Sequence, residues 1–282
     1  MKKYIYLFIL MLFFMPVVAL AHQPRIPEKY PVIVTEPEIS KAYYAKLQGQ
    51  PQIYQISADQ NFKLYVSLVV PDISGQRKDV SAVVIKNGDT KNPLAVLDGN
   101  DFVWTRFWEK YGQDWYWQGP SYKSEVGPGQ YEIRVWSTSN DSKYSLAIGE
   151  AENFTPKEII NALNLVPELK SNFFMESPAD FIFSPFGWSY ILIMFILAFI
   201  CGFIYRLLIR KFAKNTARRL PKNIGATDRW LRAIIGIILF VLAIITTWNP
   251  IMFFLSGFIF FEAIFSWCGF YAAIGKNSCP LN

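Results

Sequence analysis

The sequence predicts a multi-domain membrane protein: an all-β antiparallel sandwich ectodomain followed by three transmembrane α-helices, one anchor and one helical hairpin. Three observations predict it. From about Ser40 to Glu150, short runs rich in Val, Ile and Tyr are separated by turn residues. Beyond residue 187 lie three apolar runs, at 188–209, 233–247 and 251–274. Between the first two, residues 206–232 hold nine Lys/Arg against one acid, Asp228. Loops of that kind stay on the cytoplasmic side during insertion, which orients the whole chain.

The charge is sharply partitioned. Of the net +6, residues 22–186 carry sixteen basic and twenty acidic side chains, a net of −4, and the remainder twelve basic and two acidic. Basic charge beside membrane spans sets topology and attracts anionic headgroups, so the expected partner is the lipid bilayer and not nucleic acid. The three cysteines, Cys201, Cys268 and Cys279, lie outside 22–186, so the sandwich must fold on an ordinary core without disulfides. A single histidine, His22, excludes a His-based metal cage or a Ser-His-Asp triad within one chain. No metal and no cofactor is expected.

Taken in order, residues 1–21 read as a signal peptide: Lys2 and Lys3, an apolar stretch, then Ala19-Leu20-Ala21 as the cleavage site. Residues 22–39 are a Pro-rich extended lead-in. The sandwich is expected over 40–152, with β runs at 53–56, 63–70, 81–85, 131–136 and 144–148. Tyr131, Ile133 and Val135 alternate with Glu132, Arg134 and Trp136, as in a half-buried strand. Residues 153–187 read as a partly helical stalk. Thr155-Pro-Lys-Glu158 is a capping box that starts a helix running to about Leu163, before Pro167 interrupts it.

Gly127-Pro-Gly-Gln-Tyr-Glu-Ile-Arg-Val135, followed by Lys143-Tyr-Ser-Leu-Ala-Ile-Gly149, resembles the closing strands of pre-peptidase C-terminal-type β-sandwiches. That resemblance implies an accessory domain that binds or spaces and does not catalyse.

In the membrane part, helix 188–209 is about 33 Å long and can cross a hydrocarbon core of about 30 Å. A basic cytoplasmic loop follows at 210–226, a transmembrane hairpin at 227–275, and a cytoplasmic tail at 276–282. Thr227 is expected to cap the second span, Asp228 to pair with Arg232, and Gly236 to admit a close neighbour. The third span is expected to run unbroken to Ile274, with Gly275 as its C-terminal cap.

The segment Asn223-Ile-Gly-Ala-Thr-Asp-Arg-Trp-Leu-Arg-Ala-Ile-Ile-Gly236, with Cys268-Gly-Phe-Tyr-Ala-Ala-Ile-Gly-Lys-Asn-Ser-Cys279, resembles the two-helix transmembrane domain of YgaP-type inner-membrane proteins. The resemblance implies helices that associate as dimers, often beside a sulfurtransferase (rhodanese) domain that this sequence does not contain. One departure stands out: Gly269 follows the first cysteine, where the family commonly has proline.

Three groups of candidate residues remain. Glu262 falls near the middle of the expected third span, in a small, polar stripe with Ser266, Gly269 and Ala273. It reads either as a helix contact, across a homo-oligomer for instance, or as the lining of a solute or proton path. Cys268 and Cys279 read as small packing residues or as a thiol pair brought together by the turn after Gly275. In the sandwich, Trp104, Trp108 and Tyr111 fall at helical spacing, followed by Asp114, Trp115 and Trp117. Such rings fill a core, line a membrane-facing belt, or stack on a glycan or protein ligand. Glu109 and Asp114 as a glycosidase pair are a weaker option, since nothing fixes their separation. The expected function is non-enzymatic: an exported binding module on an oligomerising membrane base. The rivals are a transport or sulfur-handling hairpin and a carbohydrate-active outer domain.

Overall fold

The computed structural model describes residues 22–212 and 222–279; the expected signal peptide and most of the basic loop lie outside the described residues. The chain forms two compact units that divide between Ser184 and Pro185.

The first unit is a two-sheet sandwich. Its strands are β1 (Gln23–Arg25), β2 (Val32–Ile33), β3 (Lys41–Lys46), β4 (Gln52–Ala58), β5 (Phe62–Pro71), β6 (Ser81–Lys86), β7 (Ala95–Leu97), β8 (Thr105–Glu109), β9 (Asp114–Val126), β10 (Gly129–Trp136) and β11 (Lys143–Ile148). One sheet runs β1-β3-β11-β5-β9-β8, the other β2-β4-β10-β6-β7. The alternation in β10 places Tyr131, Ile133 and Val135 inward against Leu64, Val66 and Leu68 of β5 and Leu146 of β11, all essentially inaccessible. That buried apolar area is the main stabilising contribution to the unit.

Two findings revise the expected outline. The lead-in is part of the sandwich, because β1 pairs with β3 and β2 with β4. Both pairs are parallel, as is the isolated bridge between Ile39 and Ala151, while the remaining strand pairs are antiparallel.

Helix α1 (Pro156–Asn172) begins as expected, with Thr155 Oγ1 accepting from the Glu158 amide. It does not stop near Leu163 but continues through Pro167. A proline inside a helix costs about 3 kcal/mol. Here the last turn and the residues after it bury Leu169, Phe173 and Phe174 against Tyr116, Phe107, Tyr44 and Val69 on the outer face of the larger sheet. Three such side chains contribute about 1.5–3 kcal/mol each, enough to offset the kink. The expected stalk is therefore, along much of its length, a strap bound to the sandwich.

The second unit has four helices: α2 (Pro185–Phe212), α3 (Ala226–Ile245), α4 (Pro250–Phe265) and α5 (Gly269–Ile274). The stretch from Pro185 to Lys211 is apolar and long enough to cross a membrane. Helix α3 carries Asp228, Arg229 and Arg232, and α4 has only 16 residues. Three equivalent continuous spans are thus not what forms. Outward-facing Leu197, Ile204, Leu207, Ile234, Ile237 and Val241 are all exposed, an apolar shell suited to hydrocarbon and unsuited to water.

The third expected span is broken. Helix α4 is capped by Asn249, whose Oδ1 accepts from the Ile251 amide, and it ends at Ser266 in a left-handed conformation. The chain then turns through Trp267 and Cys268 into α5, which Gly275 does terminate. Helix α3 starts at Gly225 without a side-chain cap, so Thr227 does not play the expected part. Gly236 does admit a close neighbour: the Phe260 ring lies against it, and Ser256 Oγ donates to its carbonyl at 2.9 Å.

Glycine at 269 is required by packing. A Cβ there would lie 1.8 Å from the Tyr205 ring of α2. Gly269→Ala should therefore lower stability in detergent by about 1–3 kcal/mol, the usual cost of overpacking. Tyr205→Ala, itself mildly destabilising, should remove most of that increment when the two changes are combined, as measured by thermal unfolding of the four-protein cycle.

Candidate functional site

Trp104, Trp108 and Tyr111 do not share a helix. Residues 105–109 form β8, which turns back into β9 and pairs Arg106 with Trp117, Trp108 with Trp115, and Glu109 with Asp114. Helical spacing suggested one face; strand alternation puts the residues on two.

One face carries Arg106, Trp108, Trp115 and Trp117. The Trp108 and Trp115 rings lie 5.1 Å apart, tilted by 57°, and remain 42% and 40% exposed. The Arg106 guanidinium stacks over Trp115 at 3.9 Å, and Lys78 Nζ sits 3.8 Å from the Trp117 ring centre. Asp72 braces the group: Arg106 Nε donates to its Oδ2 at 2.6 Å and Trp117 Nε1 to its Oδ1 at 2.8 Å. Trp117 is half-buried against the core. The result is an aromatic platform edged by two cations.

Trp104 belongs to the interior. It donates from Nε1 to the Gly99 carbonyl at 2.8 Å, and its ring occupies the space beside Gly119, where a Cβ would come within 2.6 Å. Tyr111 lies half-buried in the turn, its amide donating to Glu109 Oε1 at 2.8 Å.

The opposite face carries Phe107, Glu109, Asp114 and Tyr116 and is covered by the end of α1. Phe107 stacks on Tyr116, which meets Phe174 edge-on. Lys170 of α1 is 1% exposed; its Nζ donates to Asp114 Oδ1 at 2.5 Å and to the Gln113 carbonyl at 3.0 Å. Lys143 of β11 donates to the carbonyls of Asn172 and Phe173, fixing the helix end. Burial raises the Asp114 carboxyl to about 7 against the opposing pull of Lys170. Burial also raises Glu109, while the Tyr111 and Gly112 amides hold it down. Both carboxylates lie beside Gly112, and each is engaged in holding the turn or the strap.

In the helical unit, Glu262 is not at mid-helix but three residues before the end of α4. Arg232 Nη1 donates to Glu262 Oε2, Arg232 Nε lies 3.5 Å from Asp228, and the guanidinium rests over Tyr271 at 5.2 Å. The break in the third helix also ends the expected Glu262–Ser266–Gly269–Ala273 stripe. Asn223 clamps that break, donating to the Cys268 carbonyl at 2.9 Å and accepting from its amide at 2.7 Å. Ser278 returns over the same point, its amide donating to the Asn223 carbonyl and its Oγ to Asp228. All three cysteines are free; Cys268 is buried, Cys279 half-buried and Cys201 exposed. No cluster of metal-ligating side chains occurs among the described residues.

Sequence reasoning missed Arg106, Asp72, Lys78 and Lys170. A strand reading of 105–117 would have grouped Arg106 with the tryptophans; the two lysines and Asp72 come from distant segments.

The two units together define a membrane-associated protein with a β-sandwich. Residues 220–282 match the family model described as inner membrane protein YgaP-like, transmembrane domain. No curated protein matches the chain. Among solved structures, the chain is similar to the pre-peptidase C-terminal domain of a collagenase from Bacillus anthracis, at 12% identity over 46% of this chain and 98% of that one, with a TM-score of 0.27. It is also similar to CorA, described as a surface-associated copper-binding protein important in Methylomicrobium album BG8 copper acquisition. There the identity is 7%, over 46% of this chain and 99% of that one, with a TM-score of 0.23. At those scores neither fixes a ligand.

The carboxyl of Asp114 gives a pH dependence of definite sign. Its folded value is raised above the ordinary 3.8, so the folded state binds more protons between the two. Its contribution is therefore most favourable below about pH 4 and is lost as pH rises through about 7. Thermal midpoints of the full chain in detergent should show this falling component. Asp114→Asn should flatten it, and Lys170→Met should extend it to higher pH, because the carboxyl then loses the cation that pulls its value down.

Proposed function

We propose that the chain is a non-enzymatic envelope protein whose exported sandwich presents a binding platform on a membrane base. The observation that carries this reading is the exposed Trp108–Trp115 pair, braced by Arg106 and Asp72 on one face of the β8–β9 hairpin. Large apolar rings held rigid at a surface lose little entropy on meeting a ligand, which is why such rings dominate recognition sites. Stacking suits the faces of sugar rings or an apolar patch on a protein.

Export follows from charge. The basic segment 206–232 stays cytoplasmic, α2 crosses, and the sandwich lies outside in the periplasm or extracellular space. In the same reading α3 and α4–α5 cross back and forth, leaving the C-terminus in the cytoplasm. The break after Ser266 is compatible with this because Asn223 satisfies the freed backbone groups. The Arg232–Glu262 pairing and the burial of Cys268 favour a packing role for these residues over transport or sulfur chemistry. Association of two or more copies through the hairpin is part of the proposal.

Topology is tested by reporter fusions in cells: one after Asn215 should be active only inside, and one in the exposed turn at Gly75 only outside. Either result reversed overturns the reading. Function is tested with the full chain in lipid nanodiscs, screened on a glycan array and against envelope proteins. Trp108→Ala with Trp115→Ala should abolish the binding found while shifting the thermal midpoint little. Binding retained by that double variant would remove the platform from the account.

A further inference from the structure

The platform has a charge pattern that selects among ligands, and the inference below rests on the reading of Trp108 and Trp115 as a binding surface. Around the rings the cations are Arg106 and Lys78, and the acid is Asp72. Both Asp72 oxygens are already engaged, one by Arg106 Nε and the other by Trp117 Nε1. The two terminal nitrogens of Arg106 make no hydrogen bond among the described residues, and its side chain is 47% exposed. Lys78 has its contact with the Trp117 ring and no ion pair among the described residues.

The Arg106 guanidinium carbon lies 3.9 Å from the Trp115 ring centre and its Nε is held by Asp72, which leaves the edge bearing the two terminal nitrogens, a planar fork of N–H donors, available beside the ring. That fork matches a carboxylate, two parallel bonds to two oxygens. The exposed part of Trp108, with what the guanidinium leaves open of Trp115, takes the C–H face of a sugar ring. The contrast with the rest of the sandwich is telling: residues 22–186 carry a net charge of −4, so the domain as a whole repels anions while this patch attracts them.

We infer that the platform binds a carboxylate-bearing glycan, with sugar rings on Trp108 and Trp115, the carboxylate on the Arg106 fork, and Lys78 contributing further positive charge. Asp72 is a positioning residue, which aims the guanidinium without touching the ligand.

The test uses the full chain in phosphatidylcholine nanodiscs and three immobilised polymers, polygalacturonate, alginate and hyaluronan, each beside its methyl ester. At least one acidic polymer should bind ten-fold or more tightly than its ester, with affinity falling as salt rises. Arg106→Gln should remove most of the preference for the acidic polymer over its ester, leaving the smaller share due to Lys78. Arg106→Lys, which keeps the charge but lacks the fork, should fall between. Lys78→Gln does not touch the Asp72 brace and should weaken acidic binding about three-fold, which guards against a folding defect at Arg106. Trp108→Ala with Trp115→Ala should lose acid and ester alike. Equal binding of acid and ester would overturn the carboxylate preference and leave the ring platform standing. Failure of all three polymers to bind would overturn the acidic-glycan assignment. Binding that survives the double tryptophan change would overturn the platform and this inference together.

Discussion

An ammonium and a carboxylate removed from water must each find a partner, and a mutual contact costs far less than isolation. In this molecule that constraint falls on Lys170 and Asp114, both almost inaccessible and 2.5 Å apart. The pair joins the last turn of α1 to the first residue of β9, so it fixes the back of the β8–β9 hairpin. Phe107, Tyr116, Phe173 and Phe174 complete the same seam with apolar contact. Strand β8 is the edge of its sheet and is paired through β9 alone. With one face sealed by the strap, the other can hold rings out to solvent without collapsing onto the core. The exposed tryptophans thus depend on a lysine more than fifty residues away.

The helical unit solves a comparable problem with hydrogen bonds. Helix α4 stops at Ser266, and an interrupted helix in an apolar setting leaves amides and carbonyls without partners. Asn223 meets those of Cys268 with both ends of its side-chain amide, while its own amide and that of Ile224 donate to the Ser266 carbonyl. The Arg232–Glu262–Asp228 group joins α3 to the end of α4, just before that break. Polar residues that the sequence scatters over more than fifty positions form one local knot.

Much of the sandwich was legible because strand alternation is a short-range signal: Tyr131, Ile133 and Val135 announce their burial within five residues. The hairpin face was not. Spacings of four and three between Trp104, Trp108 and Tyr111 imitate a helix, and only pairing with β9 decides otherwise. Pro167 signals a stop because its local cost is visible in sequence, whereas the compensating contacts of Leu169 and Phe173 are not. The break at Ser266 carries neither glycine nor proline, so hydropathy ran straight through it. The side chain that satisfies its backbone groups is that of Asn223, forty-three positions earlier. In each case a local preference was overruled by a partner remote in the chain.

The ring of Tyr205 nesting on Gly269 has a consequence for how the C-terminal motif can vary. Proline at that point would bring a Cβ into the volume the tyrosine already fills. The glycine is thus the imprint of the preceding helix on the hairpin, and α2 is seated on it as an integral third member. With proline at that position, either the tyrosine would have to give way to a smaller residue or the helix that bears it would have to move, so the two positions are tied to each other.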